Sequence, residues 1–188
     1  MAIFIIEHLE PKVWKWCLIE YENISNIVGK EKFWITNVKR KNEKLENFAK
    51  VFKEGVKDLN LKNACVLDPE AKEMLSPQDS KFEYFIFGGI LGDHPPRKRT
   101  KKELTNFIPQ FEKRNIGKKQ FPTDNAIYVV KKIIEGKRFE ELKFKENYEI
   151  NFDEFRSVIL PFRYVLKENG EPLISEKIIK HLKGKRGF

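Results

Sequence analysis

Residues 85–100, FIFGGILGDHPPRKRT, are the most informative stretch of the chain. An apolar run of strand character ends there in Gly88 and Gly89, and Gly92 follows after two further apolar residues. Glycines let backbone approach a ligand closely, and the prolines at 95 and 96 stiffen the exit of the loop. We therefore expect a strand and then a loop that wraps a flat ligand; the alternative is an ordinary glycine-rich turn.

A second informative segment lies one predicted helix further on, at residues 114–126, RNIGKKQFPTDNA. Gly117 and Pro122 interrupt any regular helix, and a new helix is predicted to begin near Thr123. The backbone amides and carbonyls of this loop, with Thr123 at the helix N-terminus, are suited to holding an adenine ring by main-chain hydrogen bonds. A simple loop before a capped helix is again the alternative.

The rest of the chain alternates between strand and helix patterns, which predicts an α/β fold with a mostly parallel sheet and helices on both faces. Pro11 is expected in the first turn of the first helix, Gly29 at its C-cap, and Thr100 with Glu103 as a capping box. Asn169–Gly170 is the turn of a predicted terminal hairpin. The predicted strands are 2–7, 33–38, 64–67, 84–87, 162–166 and 173–174, and the predicted helices are 13–28, 45–54, one opening at 100, 124–135 and 175–182.

Composition limits the function classes. The chain has 188 residues, 37 Lys+Arg against 28 Asp+Glu and a formal net charge of +9. A basic balance favours partners rich in phosphate or carboxylate, such as RNA and ribosomal surfaces, although the solvated surface of a thermophile has a similar composition. Two cysteines are too few for a disulfide scaffold, and the three histidines show no metal-ligand spacing. We expect a cytoplasmic protein with no structural metal and no membrane span.

The two loop segments together resemble the two cofactor loops of SPOUT methyltransferases. Gly88–Asp93 corresponds to the glycine-rich loop and Thr123–Ala126 to the second loop, with Asp124 and Asn125 where the commonest pattern has one residue. The common nucleotide-binding motifs Gly-x-Gly-x-x-Gly and Gly-x-x-x-x-Gly-Lys-Ser/Thr are absent from the sequence. The resemblance implies S-adenosylmethionine as cofactor and a deep trefoil knot, a rare exception to the rule against threaded chains.

Within the superfamily, motifs spread over nearly the whole chain are similar to one small family, which contains the eukaryotic SPOUT-type protein-arginine methyltransferase. These motifs are IIEHLE near the N-terminus, LDP at 67–69, FGGILGDHPPR, TDNAI, and LPFRYVL at 160–166. The shorter loops and the Lys/Glu-rich surface of this chain look more like an archaeal member of that family. The resemblance implies one SPOUT domain over 1–188, with 160–188 as a hairpin and helix appendage, and an arginine on a ribosomal protein as substrate.

The resemblance also implies which residues form the site. The residues expected to bind the cofactor are Asp68, Pro69, Phe87, Gly88, Gly89, Leu91, Gly92, Lys118, Gln120, Phe121, Thr123 and Ala126. Phe87 has a role in the core as its alternative, and Lys118 that of a solvated surface charge. Arg97 and Arg99, in a basic cluster with Lys98, Lys101 and Lys102, are expected to bind substrate, unless the cluster is only a solvated face.

A guanidinium substrate is cationic in water, with a pKa above about 12, so the site should supply carboxylates that orient it and take up a proton. Asp93, beside the glycine loop, and Glu7, at the end of the first strand, are the catalytic candidates. A turn cap for Asp93 and a structural ion pair for Glu7 are the alternatives. The rival functions are an RNA methyltransferase and a non-catalytic ribosome- or RNA-binding protein. The sequence leaves the oligomeric state open.

Overall fold

The computed structural model describes residues 2–92, 95 and 97–184. The strands are β1 (Ile3–His8), β2 (Phe33–Thr36), β3 (Lys50–Val51), β4 (Ala64–Leu67), β5 (Tyr84–Gly89), β6 (Glu112–Arg114), β7 (Phe144–Asn151) and β8 (Ser157–Val165). The helices are α1 (Lys15–Val28), α2 (Glu43–Glu46), α3 (Arg99–Glu103), α4 (Thr123–Ile134) and α5 (Glu176–Lys183).

Six strands form one parallel sheet in the order β3-β2-β1-β5-β4-β6. In the register of β1 and β5, Glu7 lies opposite Gly88 and His8 opposite Gly89. The last strand, β6, returns past β5 to pair with β4, where Leu67 lies opposite Arg114. Parallel strands end at the same edge, so the loops after β1, β4, β5 and β6 meet there, as ligand sites of open α/β sheets require. The predicted α/β class and mostly parallel sheet are confirmed.

The two faces of the sheet are covered unequally. On one face, Phe4 and Ile6 of β1 pack in the larger core cluster together with residues of α1 and α4. On the other face, Ile5 packs in a smaller cluster to which the short 3₁₀ segments Val56–Asp58 and Thr105–Phe107 and their neighbours contribute. Helical segments therefore lie on both faces, but the two long helices share one. Among the described residues, no helix is both long and apolar enough to cross a lipid bilayer.

The boundaries of α1 confirm the prediction for Gly29 and correct the prediction for Pro11. Gly29 ends α1 with φ 89° and donates its N–H to the Ser25 carbonyl at 2.9 Å. Gly136, with φ 107°, follows the end of α4. Pro11 does not lie in the first turn of α1, because the helix begins only at Lys15.

The predicted helix over 45–54 is wrong. Only α2 is helical, with Asn42 as N-cap accepting the Lys44 N–H at 3.2 Å. The chain then extends into β3 beside β2, and Phe52 donates its N–H to Ile35 at 2.8 Å while its ring packs 5.0 Å from that of Trp34. These sheet and aromatic contacts outweigh the weak local helical pattern, since tertiary packing overrides propensity.

The predicted capping box at Thr100 and Glu103 is also wrong. Thr100 lies within α3, and no side chain caps that helix. The Glu103 carboxylate instead accepts the Arg99 Nε–H at 2.7 Å and Nη2–H at 3.0 Å. A bidentate pair between a carboxylate and a guanidinium is stronger than a hydrogen bond from a backbone N–H. This difference explains why Glu103 bonds Arg99 and does not cap the helix.

The C-terminal third contains a longer hairpin than predicted. β7 and β8 pair as a two-stranded antiparallel sheet. The predicted pairing of 162–166 with 173–174 is reduced to one bridge between Leu166 and Pro172 around the Asn169–Gly170 turn, where Gly170 has φ 81°. The predicted appendage boundary at Leu160 falls inside β8. The predicted terminal helix is confirmed as α5, with Ser175 Oγ accepting the Lys177 N–H at 3.3 Å.

Asn125 connects this C-terminal unit to α4. Its buried side chain accepts the Val165 N–H at 2.9 Å and donates to the Leu173 carbonyl at 2.9 Å. Val165 itself belongs to the larger core cluster. One amide therefore satisfies two backbone groups, one on each side of the Asn169–Gly170 turn.

Replacing Asn125 with Ala should lower the free energy of unfolding by about 2–4 kcal/mol, because two buried backbone groups lose their partner. Urea denaturation measures the change. The exposed Asn169→Ala change is the control and should cost less than about 0.5 kcal/mol. Equal stabilities for the two variants would mean that Asn125 does not hold the C-terminal unit.

Candidate functional site

The glycines at the end of β5 lie where no side chain fits. A Cβ added to Gly89 would lie 2.7 Å from the Tyr21 hydroxyl and 2.7 Å from the Ile6 side chain. Atoms that close would clash, so α1 packs directly on the glycine backbone. Strand β5 therefore ends in close contact with α1, and the residues after Gly89 leave the sheet at its edge.

The two predicted loops meet in space. A Cβ on Gly92 would clash with the Gln120 amide and lie 2.7 Å from the Phe162 ring. Gln120 also accepts the Arg163 N–H on its backbone carbonyl at 2.9 Å. The glycine loop, the loop before α4 and strand β8 thus form one contact region.

A cavity of about 510 Å³ lies between these elements. Four of the predicted cofactor residues line it, namely Leu91, Gly92, Phe121 and Thr123. Its remaining lining includes four aromatic rings and comes from the two loops, from the segment that leads into α1, from α1 itself and from the C-terminal unit. These residues are Trp14, Lys15, Trp16, Glu20, Ile90, Pro122, Phe162 and His181.

Glu10 holds the glycine loop. Its Oε1 accepts the Leu91 N–H at 3.0 Å and the Arg99 Nη1–H at 2.9 Å. Arg99 also pairs with Glu103, and these carboxylates raise its pKa. Arg99 therefore braces the loop from α3 through Glu10, and its pair with Glu103 lies within α3. Arg97 is exposed. Their predicted roles in substrate binding stay predictions.

The predicted residues at the end of β4 lie apart from the cavity lining. Asp68 is buried, with Oδ2 accepting the Thr105 hydroxyl at 2.7 Å and Oδ1 accepting the Glu70 N–H at 2.9 Å. Pro69 beside it is exposed. Neither residue is among the described residues that line the cavity.

The other predicted cofactor residues have mixed positions. Phe87 is buried in the core and stacks with Phe4 at 6.5 Å between ring centroids, in agreement with its alternative role. Ala126 is half-buried against the same core, and Lys118 is exposed. Gly88 is half-buried at the end of β5.

Of the two predicted catalytic carboxylates, only Glu7 lies in the part of the chain that the structure describes. Glu7 is buried; its carboxylate accepts from the Thr36 hydroxyl and from the Val56 N–H at 3.0 Å. Burial raises its pKa above the ordinary value, against the lowering effect of these two hydrogen bonds. By strand alternation its side chain shares the face of Ile5, away from α1 and α4. Asp93 lies outside the described residues, and both catalytic roles stay predictions.

Sequence reasoning missed Glu20, the buried carboxyl in the cavity lining. Trp16 donates its indole N–H to Glu20 at 3.0 Å, and the Thr123 side chain also bonds it. Burial, reinforced by the neighbouring Asp124, raises the pKa of Glu20 to about 8. The signal in the sequence was an acid on the apolar stripe of α1, three residues after Cys17 and four before Ile24.

The fold matches known SPOUT methyltransferases. The crystal structure of the dual specific Trm10 from Thermococcus kodakaraensis superimposes with a TM-score of 0.60 at 22% identity, covering 75% of this chain and 96% of that one. That likeness concerns the fold alone.

The family is fixed by closer matches. The family model described as "Protein arginine N-methyltransferase SFM1-like" matches residues 3–187. The protein arginine N-methyltransferase SFM1 of Saccharomyces cerevisiae is 36% identical over 199 residues, covering 96% of this chain and 93% of the yeast protein. The chain therefore belongs to the SFM1-like protein arginine N-methyltransferase family.

Crystal structures of yeast SFM1 agree with the fold described above. The complex with SAM has a TM-score of 0.90 at 35% identity, covering 97% of this chain and 90% of that one. The complex with SAH has a TM-score of 0.88 at 36% identity, covering 96% and 94%.

The raised pKa of Glu20 predicts a pH-dependent stability. The pKa of this carboxyl is 4.5 in its ordinary state and about 8 in the folded protein. Its contribution to the free energy of unfolding is therefore fully present below pH 4.5 and is lost as the pH rises through 8. Relative to Glu20→Gln, the unaltered chain should lose about 1.4 kcal/mol of unfolding free energy per pH unit in that window. Urea denaturation of both proteins across the window measures this. A difference that stays constant with pH would contradict it.

Proposed function

We propose that this chain, as an S-adenosylmethionine-dependent protein arginine methyltransferase, acts on an arginine of a ribosomal protein. The observation that carries the activity is the convergence of the glycine loop and the loop before α4 on one cavity, in a chain that matches the arginine methyltransferase family over residues 3–187. Yeast SFM1, bound to SAM and SAH in its crystal structures, supports the same cofactor here.

The residues at the cavity fit this cofactor. Gly92 exposes backbone to the cavity without room for a side chain, and Leu91 with Phe121 supplies apolar surface for a flat purine. The Thr123 hydroxyl and the first amides of α4 provide polar partners. When bound, S-adenosylmethionine supplies an electrophilic methyl group on a positively charged sulfur.

The contribution of the protein to such a displacement is mainly geometric. Glu10 accepts the Leu91 N–H at 3.0 Å and so holds the glycine loop in place, and the Phe162 ring beside Gly92 forms part of the cavity wall. Holding two reactants in line removes much of the entropic barrier, and excluding water strengthens the electrostatic contacts inside.

Charge supports a ribosomal target. The formal net charge is +9, and Lys101 and Lys102 of α3 are exposed beside the loop. Lys98 is paired with Glu70 at 2.7 Å, so the basic cluster is partly neutralised. Exposed cations near the site favour a substrate that is itself part of an RNA-rich particle. A cytoplasmic location follows from that target.

We further propose a single SPOUT domain over 1–188 with a trefoil knot and with 160–188 as its appendage. The pairing of β6 with β4 on the far side from β5 supports a chain that passes back through its own loops. Ile19 of α1 packs with Leu160 of β8 and Ile178 of α5, which supports one continuous unit.

Incubating the purified protein with methyl-labelled S-adenosylmethionine and ribosomal subunits should place the label in the protein fraction. Acid hydrolysis of that fraction should yield methylated arginine. Label recovered only in RNA would replace the proposal with an RNA methyltransferase. Label in neither fraction would favour a non-catalytic ribosome-binding role.

Gly92→Ala should weaken binding of S-adenosylmethionine at least about tenfold, because the added methyl clashes with the Gln120 amide and displaces Phe162 from the cavity wall. Isothermal titration calorimetry measures the affinity. Gly184→Ala is the matched control, since its Cβ meets only ordinary contacts from 3.5 Å, and its affinity should be unchanged. An unaltered affinity in Gly92→Ala would remove this loop from the cofactor site.

A further inference from the structure

The hairpin of β7 and β8 has one packed face and one outward face. Leu160 and Tyr164 of β8 pack inward with Ile150 of β7, in a cluster that includes residues of α1 and α5. Successive side chains of a strand point to opposite faces, so Ile159 is turned outward beside Leu160. Its side chain is 59% exposed and lies directly opposite the exposed Glu149 of β7. At these two positions the outward face of the hairpin is open to solvent.

The tip of the same hairpin presents an aromatic ring to solvent. Phe155, in the turn between β7 and β8, is 93% exposed. Asp153 orders this turn, because one carboxylate oxygen accepts the Phe155 N–H at 3.0 Å and the other accepts the Arg156 Nε–H at 2.7 Å. Single exposed apolar residues are common, but Phe155 and Ile159 both lie at the distal end of one hairpin. Exposed apolar side chains grouped in this way are typical of a surface that binds another protein.

The hairpin is acidic, although the formal net charge of the chain is +9. Residues 144–159 carry four carboxylates and two cations. Two of the carboxylates, Glu146 and Asp153, each pair with an arginine, at 2.5 and 2.6 Å. The other two, Glu149 and Glu154, are exposed and form no ion pair within the part of the chain that the structure describes. Such carboxylates attract a basic partner and repel the phosphates of RNA.

Strand β8 connects this surface to the cavity. Phe162, three residues after Ile159, is part of the cavity lining. A strand rises about 3.3 Å per residue, so these two positions lie about 10 Å apart along β8. An extended peptide covers that distance with about three residues. A polypeptide that places an arginine side chain in the cavity can therefore reach Ile159 with a neighbouring segment.

We propose that Glu149, Glu154, Phe155 and Ile159 form a docking surface, outside the cavity, for a basic segment of the protein substrate. These four residues are called the hairpin surface below. The inference rests on the proposed methylation of a ribosomal protein and deepens it by naming the surface that selects this partner. A protein that binds RNA carries many cations, which complement the two carboxylates. Apolar side chains of the same segment cover Phe155 and Ile159.

Two contact points divide the recognition of the substrate between them. The cavity receives the arginine side chain, while the hairpin surface binds the polypeptide that carries it. Because the hairpin surface lies outside the reacting atoms, it binds the substrate equally well before and during methyl transfer. Loss of such uniform binding raises KM and leaves kcat unchanged.

The first test places the photoreactive residue p-benzoylphenylalanine at position 155 and irradiates the protein with purified ribosomal subunits and S-adenosylhomocysteine. A cross-link should form to the ribosomal protein that the unaltered enzyme methylates. The matched control carries the same group at position 107, where Phe107 is 63% exposed, and should not cross-link to that protein. A cross-link from position 155 only to RNA, or only to a second copy of this chain, would overturn the proposal, as would the absence of any cross-link.

The second test measures methylation kinetics with the same ribosomal subunits. Phe155→Ala combined with Ile159→Ala should raise KM for the subunits at least about tenfold, while kcat and the affinity for S-adenosylmethionine stay unchanged. Phe107→Ala is the control and should alter none of the three quantities. An unchanged KM in the double variant, or a loss confined to kcat, would contradict the docking role.

The third test reverses the charge of the hairpin surface. Glu149→Lys combined with Glu154→Lys should raise KM at least about tenfold at low ionic strength, and added salt should shrink the effect because exposed charges are screened. Glu46→Lys, at an exposed position of α2, is the control and should change KM less than about twofold. A lower KM in the hairpin variant would mean that the surface faces RNA and would overturn the proposal.

The outcomes separate the two proposals. If the unaltered protein methylates a ribosomal protein and the hairpin variants do so with the same KM, the docking surface is wrong while the proposed function stands. If the unaltered protein methylates no ribosomal protein, the proposed function fails and the docking surface fails with it.

Discussion

The site depends on the close approach of two separate loops at Gly92. A side chain there would clash with Gln120 and with Phe162 of β8, and the Arg163 N–H bonds the Gln120 carbonyl at 2.9 Å. This contact is available only because β6 pairs with β4 in the same parallel sheet as β5, so that the loops after β5 and β6 leave the sheet at one edge. The cavity, the position of α4 and the attachment of the C-terminal unit all depend on this contact at Gly92.

Helix α1 links this edge to the core. Tyr21 packs against Gly89, and its hydroxyl lies 2.9 Å from His8 Nδ1 at the end of β1. One residue earlier, Glu20 turns into the cavity and bonds Trp16 and Thr123. The same helix therefore fixes the strand end through an apolar contact and carries a buried acid. That acid reduces stability at neutral pH, a cost typical of functional sites.

The sequence was sufficient for features that have strong local signals. The apolar runs of β1, β4 and β5, the glycines after β5 and the start of α4 at Thr123 follow from residue type and spacing. The short edge strands β3 and β6 could not be predicted in this way. They have two and three residues and form only through hydrogen bonds to neighbouring strands. Glu20 was missed for a related reason: its bond to Thr123 and its place in the cavity depend on residues distant in sequence.

Amide hydrogen exchange with and without S-adenosylhomocysteine tests most directly whether one ligand bridges both loops. We expect Leu91 and Gly92 in the first loop and Phe121 and Thr123 in the second to become protected together, at the same ligand concentration. Protection of one loop alone, or of neither, would contradict the view that they form a single cofactor site.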